Sequence, residues 1–533
     1  MNILLHQSIA ILGLGLTGQS FLRFLHDQLD ASARNEHEGR ELKAIHVHDL
    51  RLQLPVKGVE TIADADCLAL IESLACEHEL AITYDSDATN LPSTIDALFV
   101  GPGVSPQHAW VRAARDQSIR VFSDLELFLA KARELDLTIV GVTGSNGKST
   151  VVSALAHALR QIDEKVLLLG NIGAPVLDAL PGLGKEHRIV LELSSFQLEL
   201  LECAAISCAC ILNISPDHLD RYASLEAYSA AKQRIYAGSS LQVFNSNDAA
   251  TVPAGLQENK AASSQTSAQG EHGARERAPA FAVVRGELNL WRVVGSNAGI
   301  EAIRLDSASD RSTTSRPTAG PAGSHHFRFD SLSEGSALWC QNLASCLALG
   351  LALFEVNVLS WPALERLAAA LDSFVPLDHR YQKVGARNLD GLLLEFIDDS
   401  KATNEGAARS ALKAAAQQYH FVVVIAGGLA KGADLTAFAR ELNEKAQLVC
   451  LIGEDRELIR REIAKEKTFL ADGLVSCLSY LKEWLEEQRE TLESPGVCLL
   501  SPACASMDMF QNYRDRGLKF QAAVDEVFAE VAA

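Results

Sequence analysis

Seven consecutive residues that begin at Gly144, GSNGKST, combine two glycines, one lysine and three hydroxyl side chains. Gly144 and Gly147 let the backbone turn its N–H groups inward, where they would surround an anion. Lys148 is placed to reach terminal phosphates, and the hydroxyl of Ser149 or Thr150 is placed to hold Mg²⁺. The spacing is shorter than the common GxxxxGK[ST] and fits GxxGKST. This combination is typical of nucleotide phosphate binding.

A strand and a helix are needed to hold these groups in place, and the flanking residues predict both. Residues 137–142 form a β-rich apolar run, and apolar side chains between Val151 and Ile162 recur at helical spacing. The N-terminus of such a helix adds about half a positive charge. We therefore interpret GSNGKST as the phosphate loop of an ATP site. The alternative is a glycine-rich strand-to-helix turn with a surface lysine.

Polar side chains follow further predicted strands of the same segment. These strands are predicted at residues 165–169, 188–193 and 208–214. Asn171 follows the first strand, Glu192 stands at the end of the second, and His218 follows the third. The alternation with helices predicts a mostly parallel sheet, which binds ligands at the carboxyl ends of its strands. Glu192 and His218 are thus expected where the phosphate loop opens, although either residue alone is equally compatible with a core or turn position.

The N-terminal segment carries a second glycine-rich turn, GLGLTG, which begins at Gly13. The turn follows a predicted strand at residues 8–12 and precedes a helix, as in dinucleotide-binding folds. Asp49 comes after a second predicted strand, at residues 44–47, and is farther from Gly13 than the usual ~20 residues. The motif is weak support for a nicotinamide cofactor, because the same turn can hold any diphosphate or simply pack tightly.

The C-terminal segment repeats the pattern of strands that end in polar turns. Strands are predicted at residues 392–397, 421–426, 447–452 and 497–500, and the turns read DDSKATN, GGLAKGAD and SPACASMD. Lys401, Thr403, Lys431 and Ser506 are therefore expected at one edge of a second α/β sheet. An edge of lysines and hydroxyls suits an anionic ligand, and a solvated helix start is the alternative for any single turn.

Composition limits the partners. The formal net charge of −20 argues against nucleic acid and anionic membranes, because a phosphate backbone needs a basic surface. The 11 cysteines lack the spacing of a zinc site and are expected to be buried thiols in a reducing cytosol. Nothing resembles a secretory signal, and the longest apolar run, 343–354, is far shorter than the ~20 residues that span a bilayer. We expect a soluble, cytoplasmic protein without membrane insertion.

These patterns predict an α/β protein of three domains. Residues 1–135 would form a Rossmann-like domain, residues 136–375 a central domain like a phosphate-loop ATPase with a mostly parallel sheet, and residues 376–533 a Rossmann-like α/β domain. Segments 253–279 and 307–326 are rich in Ser, Ala, Gly, Thr and Arg, which is typical of poorly ordered insertions. Between them, short strands are predicted within residues 281–294 and 300–305.

Seven motifs, in their order along the chain, resemble those of the Mur ligase family: GVTGSNGKST, ELSSFQLE, NISPDHLDRY, AAKQRIY, DHRYQ, DDSKATN and LLSPACAS. The resemblance covers nearly the whole chain except the two insertions, and DDSKATN and LLSPACAS resemble the members that add D-glutamate. It implies three domains that hold a uridine nucleotide, ATP and the incoming amino acid. It implies an ATP-dependent amide ligase that is a monomer, whose substrates are UDP-N-acetylmuramoyl-L-alanine and D-glutamate, with an acyl-phosphate intermediate, in peptidoglycan precursor synthesis.

The resemblance also implies roles for individual residues. ATP would be contacted by Gly144, Ser145, Asn146, Gly147, Lys148, Ser149, Thr150, Asn342, Arg380 and Asp399. Two Mg²⁺ ions would be held by Ser149, Glu192, His218 and Lys232, the last carrying a CO₂-derived carbamate. The uridine and muramoyl groups would be contacted by Leu16, Thr17, Asp49, Arg51, Asn171 and His218. D-Glutamate would be contacted by Lys401, Thr403, Lys431, Ser506, Met507 and Tyr513. The catalytic groups would be Lys148, His218, Lys232 and Lys401.

The chain departs from the family pattern at three places. Leu338 and Trp339 stand where a His-Asn pair often precedes the position of Asn342, so part of the adenine contact differs. Leu50 stands where a threonine usually contacts uracil, and Tyr513 stands where phenylalanine is common.

Three other functions share part of the pattern. A folylpolyglutamate synthase would have the phosphate loop and the modified lysine, but would lack an N-terminal nucleotide domain such as residues 1–135. A nicotinamide-dependent dehydrogenase would explain GLGLTG and leave the phosphate loop unexplained. A regulatory nucleotide-binding protein without ligation chemistry would leave Glu192, His218 and the C-terminal lysines without a role.

Overall fold

The computed structural model describes most of the chain, in ranges separated by gaps. The described residues are 6–34, 42–48, 65–85, 90–162, 165–201, 204, 206–219, 221–256, 280–285, 288–296, 299–304, 324–327, 329 and 337–529.

The first sheet is built from five parallel strands in the order β3-β2-β1-β4-β5. Its strands are β1 (Ser8–Leu12), β2 (Ala44–His48), β3 (Ala81–Asp85), β4 (Ala97–Val100) and β5 (Arg120–Phe122). Its helices are α1 (Leu16–Arg34), α2 (Ala65–His78), α3 (Ala109–Asp116) and α4 (Asp124–Glu134). The predicted strands at 8–12 and 44–47 correspond to β1 and β2, whereas β3 and β5 were not predicted.

The GLGLTG turn joins β1 to α1 and needs its glycines. Gly13 has a positive φ of 95°, and a Cβ atom at Gly18 would lie 2.2 Å from the carbonyl oxygen of Gly13. Only glycine fits such a close approach of helix and turn. The turn therefore brings the N-terminus of α1 close to the carboxyl end of β1.

The second sheet has nine strands in the order β14-β13-β12-β11-β10-β9-β6-β8-β7. Its strands are β6 (Thr138–Thr143), β7 (Val166–Gly170), β8 (Arg188–Glu192), β9 (Cys208–Ile211), β10 (Leu241–Asn245), β11 (Ala280–Arg285), β12 (Leu288–Ser296), β13 (Gly299–Arg304) and β14 (Ser324–Phe327). Its helices are α5 (Lys148–Arg160), α6 (Ser195–Leu198), α7 (Leu225–Gln233), α8 (Ala337–Glu355) and α9 (Trp361–Asp372).

Only part of this second sheet is parallel. Strands β10, β9, β6, β8 and β7 pair in parallel, as the alternation of strands and helices predicts. Strands β11 to β14 extend the sheet from β10 as antiparallel neighbours. The sequence predicted short strands here but not their pairing. Of the two predicted insertions, residues 257–279 and 307–323 lie outside the described residues, and residues 324–326 belong to β14.

The third sheet has six strands in the order β15-β16-β20-β17-β18-β19. Its strands are β15 (Gln382–Leu389), β16 (Leu392–Asp398), β17 (Phe421–Gly427), β18 (Leu448–Ile452), β19 (Thr468–Leu470) and β20 (Gly496–Leu500). Its helices are α10 (Glu405–Gln418), α11 (Thr436–Lys445), α12 (Arg456–Arg460), α13 (Leu474–Gln488) and α14 (Tyr513–Val527). All pairs are parallel except β15 with β16. The four predicted strands correspond to β16, β17, β18 and β20.

The longest apolar run of the sequence is a core helix. It forms much of α8, in which Leu343, Leu347 and Leu351 are fully buried in a cluster that also contains Val151 and Val152 of α5. This packing positions the start of α5, and thus the GSNGKST turn, against the second sheet. Within the described ranges, no helix combines the length and the apolar character that crossing a bilayer requires.

Candidate active site

The GSNGKST turn folds as a phosphate loop between β6 and α5. Gly144 and Gly147 have positive φ angles of 156° and 83°, and Gly147 is the N-cap of α5. A Cβ atom at Gly147 would lie 3.1 Å from Oδ1 of Asn342, so this position favours glycine. Lys148 Nζ donates to the carbonyl oxygens of Gly144 at 2.7 Å and Ser145 at 2.9 Å. Desolvation lowers the pKa of Lys148, and the carboxylates of the site oppose this shift.

Glu192 ends β8 beside the phosphate loop and is almost completely buried. Its Oε1 accepts a hydrogen bond of 2.9 Å from Nδ2 of Asn171. Its Oε2 is buried and has no hydrogen-bond partner among the described residues. Because an unsatisfied buried carboxylate oxygen is costly, this atom is suited to bind a cation that enters with a ligand.

Lys232 of α7 is a buried lysine, 1% exposed, on the other side of the loop. Its Nζ donates to the carbonyl oxygen of Gly144 at 2.9 Å and lies 4.6 Å from the ring centroid of Tyr228. Burial, and then the positive charge of Lys148, lower the pKa of Lys232 well below its usual value. The amine therefore has a much larger neutral fraction near pH 7 than an exposed lysine.

His218 lies in the turn after β9, in a left-handed backbone conformation with φ 54°. Its ring centroid is 4.8 Å from that of Phe196, and its Nε2 is 3.8 Å from Oδ2 of Asp217. Arg221 packs over the ring of Phe196, with its guanidinium carbon 4.0 Å from the ring centroid, and donates to the carbonyl oxygen of Val104 at 2.8 Å. This contact joins the His218 turn to the turn after β4 of the first sheet.

The turn after β16 places charged groups of the third sheet in the same region. Asp399 accepts hydrogen bonds of 3.1 Å from the backbone N–H of Tyr381 and from the hydroxyl of Ser501. Burial raises the pKa of Asp399 to about 7, against the effect of these bonds and of Arg380. Lys401 Nζ lies 4.4 Å from the ring centroid of Tyr513, and desolvation lowers its pKa.

Asn404 connects the third sheet with the phosphate loop. Its Oδ1 caps α10 by accepting from the backbone N–H of Ala407 at 2.9 Å. Its Nδ2 donates to Oδ1 of Asn146 at 3.0 Å and to Oδ2 of Asp217 at 3.0 Å. The sequence around Asn404 gave no sign of this bridge, since an asparagine before a helix is already explained by its role as a cap.

These elements surround one cleft of about 1270 Å³. The predicted site residues that line it are Ser145, Asn146, Gly147, Lys148, Ser149, Thr150, Asn171, Glu192, His218, Lys232, Asn342, Arg380, Asp399, Lys401, Thr403 and Lys431. The described candidates that do not line it are Leu16, Thr17, Gly144, Ser506, Met507 and Tyr513. Asp49, Leu50 and Arg51 lie outside the described residues. Gly144 supports the loop from behind, with its carbonyl oxygen bound to both lysines.

Aromatic side chains line the cleft near Asn342. Trp339 stacks on Phe374 with 5.9 Å between ring centroids and 20° between ring planes, and both line the cleft. Trp339 is one of the two residues that stand where the family pattern often has a His-Asn pair. An aromatic surface therefore replaces the amide at this position, whereas the side chain of Leu338 lies outside the described residues.

Two further contacts hold the third-sheet turns in place and were not found from the sequence. His379 Nδ1 is 2.7 Å from Oδ2 of Asp398, and both side chains are buried. Arg516 of α14 is 1% exposed and donates to the carbonyl oxygens of Ser400 at 2.8 Å and Cys504 at 3.1 Å. The burial of Arg516 could not be predicted from the sequence, because an arginine in an amphipathic helix is normally exposed.

Comparison with known proteins finds similarity along the whole chain. The family model of the Mur ligase middle domain matches residues 142–302, and that of the Mur ligase glutamate ligase domain matches residues 379–504. UDP-N-acetylmuramoylalanine--D-glutamate ligase from Saccharophagus degradans is 32% identical, with 98% of each chain covered. The enzyme of that name from Legionella pneumophila is 31% identical, over 97% of this chain and 99% of its own. Among solved structures, UDP-N-acetylmuramate-alanine ligase from Thermotoga maritima aligns with 98% of this chain and 100% of its own, at 16% identity and a TM-score of 0.48.

Proposed function

Because this chain belongs to the Mur ligase family, we propose that it uses ATP to join D-glutamate to UDP-N-acetylmuramoyl-L-alanine, as the names of its relatives describe. In this proposal, residues 1–135 hold the uridine nucleotide, residues 136–375 hold ATP, and residues 376–533 hold the amino acid. The protein would act in the cytoplasm, on precursors of peptidoglycan. We expect it to act as a monomer, in which the second and third sheets of the same chain line the cleft.

The observation that carries the proposal is the meeting of two sets of cations in one cleft. Lys148 comes from the phosphate loop of the second sheet, and Arg380 and Lys401 come from the third sheet. Asn404 holds the third sheet next to the phosphate loop by its hydrogen bonds to Asn146 and Asp217. A single nucleotide-binding domain would not need the second set, whereas a ligase must bring ATP, a carboxylate and an amine together.

The proposed chemistry uses these charges in two steps. The terminal carboxylate of the muramoyl substrate attacks the γ-phosphorus of ATP, ADP leaves, and an acyl phosphate forms. The amine of D-glutamate then attacks the acyl carbon, a tetrahedral intermediate forms, and phosphate leaves with the bonding electrons while the amine loses a proton. Lys148 and Arg380 would stabilise negative charge on the transferring phosphoryl oxygens, where each well-placed donor contributes about 3–4 kcal/mol.

The residues around Glu192 fit magnesium. Its Oε2 is a buried carboxylate oxygen without a hydrogen-bond partner among the described residues, and oxygen ligands are those that Mg²⁺ prefers. Ser149, Glu192, His218 and a carbamate on Lys232 would hold two Mg²⁺ ions. Bound there, the ions would neutralise charge on the phosphate oxygens.

The surroundings of Lys232 favour the carbamate. A neutral amine adds to CO₂ through its lone pair, forming a carbon–nitrogen bond and releasing one proton, whereas an ammonium has no lone pair to use. Burial lowers the pKa of Lys232 well below its usual value, which increases the neutral form. The product is an anion beside Lys148, and Mg²⁺ could use its oxygens.

We divide the substrate contacts by the sheet that supplies them. Asn171 and His218 reach the cleft from turns of the second sheet, and we assign the muramoyl group to them. Lys401, Thr403 and Lys431 reach it from turns of the third sheet, where two cations would pair with the two carboxylates of D-glutamate. Tyr513 supports these residues by packing against Lys401, and Ser506 and Met507 follow Ala505, which lines the cleft. Leu16 and Thr17 start α1, where we place the uridine diphosphate.

Phosphate release from ATP tests the proposal directly. The full-length protein is supplied with Mg²⁺, ATP and UDP-N-acetylmuramoyl-L-alanine, and D-glutamate is compared with L-glutamate, L-lysine and meso-diaminopimelate. Release with D-glutamate alone is expected. Release with a different amino acid would overturn the assignment of the third-sheet turns, and absence of release with all four would overturn the ligase assignment and favour a folate substrate or a regulatory role.

A further inference from the structure

A cluster of two histidines and one aspartate lies on the first sheet, away from the cleft. His26 and Asp30 are one turn apart on α1 and share a face, and His78 lies in the last turn of α2. One nitrogen of each imidazole and one oxygen of the carboxylate lie within 4.8 Å of one another. Nε2 of His78 is 3.4 Å from Oδ1 of Asp30, and Nδ1 of His26 is 3.9 Å from Oδ2 of the same carboxylate.

A hydrogen-bond chain on the outer side of His26 determines which ring nitrogen carries the proton. Ser73 Oγ donates its single proton to Oε1 of Glu77 at 2.7 Å. The same Oγ lies 3.2 Å from Nε2 of His26, so in this contact the hydroxyl accepts and Nε2 donates. In the neutral ring, Nδ1 therefore carries the lone pair and faces the carboxylate of Asp30.

In this arrangement two electron-rich atoms, Nδ1 of His26 and Oδ2 of Asp30, face each other. A nitrogen lone pair and a carboxylate oxygen repel each other, and 3.9 Å is too long for a hydrogen bond between them. A cation between the two atoms would turn the repulsion into attraction. Metal-binding histidines typically donate their second ring N–H to a neighbouring acceptor, which fixes the tautomer, and Ser73 with Glu77 supplies such an acceptor.

We propose that His26, Asp30 and His78 bind a divalent first-row transition metal, with Zn²⁺ as the best match. Two imidazole nitrogens and one carboxylate oxygen are a common zinc ligand set, and water would complete four-coordination. With bonds of about 2.0–2.1 Å, tetrahedral ligands lie about 3.4 Å apart. The distances to Asp30, 3.4 Å from His78 to Oδ1 and 3.9 Å from His26 to Oδ2, refer to different oxygens; one atom from each of the three residues lies within 4.8 Å of the others, and side-chain rotation would shorten these separations to that value.

The metal would fasten α2 to α1. The side chains of His26 and Asp30 are 20% and 38% exposed, so an ion can enter from solvent, whereas His78 is 5% exposed and fixed in the core. None of the three residues lines the cleft. The role of the ion is therefore structural, and it adds to the stability of the folded state by mass action.

Zinc titration of the full-length protein tests the proposal. The protein is stripped with a chelator, dialysed, saturated with Mg²⁺ so that hard-cation sites are filled, and titrated with Zn²⁺ against a chromophoric chelator. His26→Gln and Asp30→Asn replace the partly exposed ligands and are expected to fold and to bind one equivalent less than the unmodified protein. His6→Gln, which removes a histidine of the same sheet outside the cluster, is the matched control and is expected to lose none.

Two further readouts separate a metal site from a plain ion pair. Ser73→Ala keeps all three ligands but removes the acceptor for His26, and is expected to weaken zinc binding by about 10- to 100-fold. Co²⁺ in place of Zn²⁺ is expected to give visible absorption typical of tetrahedral coordination in the unmodified protein and not in Asp30→Asn. Equal zinc stoichiometry in the unmodified protein, His26→Gln and Asp30→Asn would overturn the proposal and leave a protonated histidine–aspartate pair.

Discussion

Nδ2 of Asn404 donates a 3.0 Å hydrogen bond to Oδ1 of Asn146, across 258 positions of sequence. The same amide donates to Asp217, so one side chain holds the third sheet against the phosphate loop and the turn after β9. Because its Oδ1 also caps α10, Asn404 has two separable roles.

Replacement of Asn404 by serine is expected to separate these roles. Serine still caps the helix and alanine does not, so the free energy of unfolding of Asn404→Ser should exceed that of Asn404→Ala by about 1 kcal/mol. Both variants lose two hydrogen bonds of about 0.5–1.5 kcal/mol each, so kcat/KM for ATP should fall about tenfold or more. Thermal unfolding and steady-state phosphate release measure the two effects. Unchanged kcat/KM in Asn404→Ser would show that the bridge does not assist turnover.

Removal of the Lys148 ammonium is expected to abolish most turnover. Lys148→Ala loses a cation that would stabilise the transferring phosphoryl group, a contribution of about 3–4 kcal/mol, so kcat should fall by about 10²–10³-fold. Lys165→Ala is the matched control, because Lys165 is an exposed lysine at the start of β7 that pairs with Glu186. A Lys148→Ala rate near that of Lys165→Ala would exclude the proposed role.

Local features of the chain were predictable from sequence, and distant pairings were not. The phosphate loop was predicted because glycine at positions 144 and 147 and apolar spacing after Thr150 are local signals. Strand β19 has three residues, and β15 is a half-exposed edge strand, so neither gives a strong apolar run. Strands β11 to β14 were underestimated because antiparallel pairing depends on partners, not on local composition.

The same limit applies to the site. Lys148, Glu192 and His218 follow predicted strands, so the rule that ligands bind at strand ends brings them together. No local sequence pattern predicts the partners of Asn404, His379 and Arg516, because these partners lie in other turns. The burial of Lys232 is equally non-local, since its sequence context is that of a helix with a solvated lysine.

Lys232 is expected to carry the carbamate in solution. After incubation with ¹³C-bicarbonate, the unmodified protein should show a carbamate carbon resonance that Lys232→Gln lacks, whereas Lys413→Gln, at an exposed position of α10, should retain it. Lys232→Glu supplies a permanent but shorter carboxylate, so its Mg²⁺-dependent turnover should exceed that of Lys232→Gln. Equal turnover in the two variants would argue that no anion is needed at this position.

Asp399 is expected to make the protein less stable as the pH rises from about 4 to about 7. Burial raises its pKa in the folded state from 3.8 to about 7, so in this range the unfolded carboxyl has released its proton while the folded carboxyl retains it. Folding then requires proton uptake, which becomes more costly with each pH unit and levels off above about 7.

Asp399→Asn removes this titration while it keeps the oxygen that accepts from Tyr381. Between pH 5 and 7, the ionisation of Asp399 in the unfolded state lowers the stability of the unmodified protein by about 1.4 kcal/mol per pH unit. The stability of Asp399→Asn relative to the unmodified protein should therefore increase by about 3 kcal/mol from pH 5 to pH 8. Urea unfolding at both pH values measures this difference, in which the titration of other groups cancels. A difference that stays constant, or that decreases towards pH 8, would mean that Asp399 is ionised in the folded protein at pH 5, and the hydrogen bond from Ser501 and the positive charge of Arg380 would then outweigh its burial.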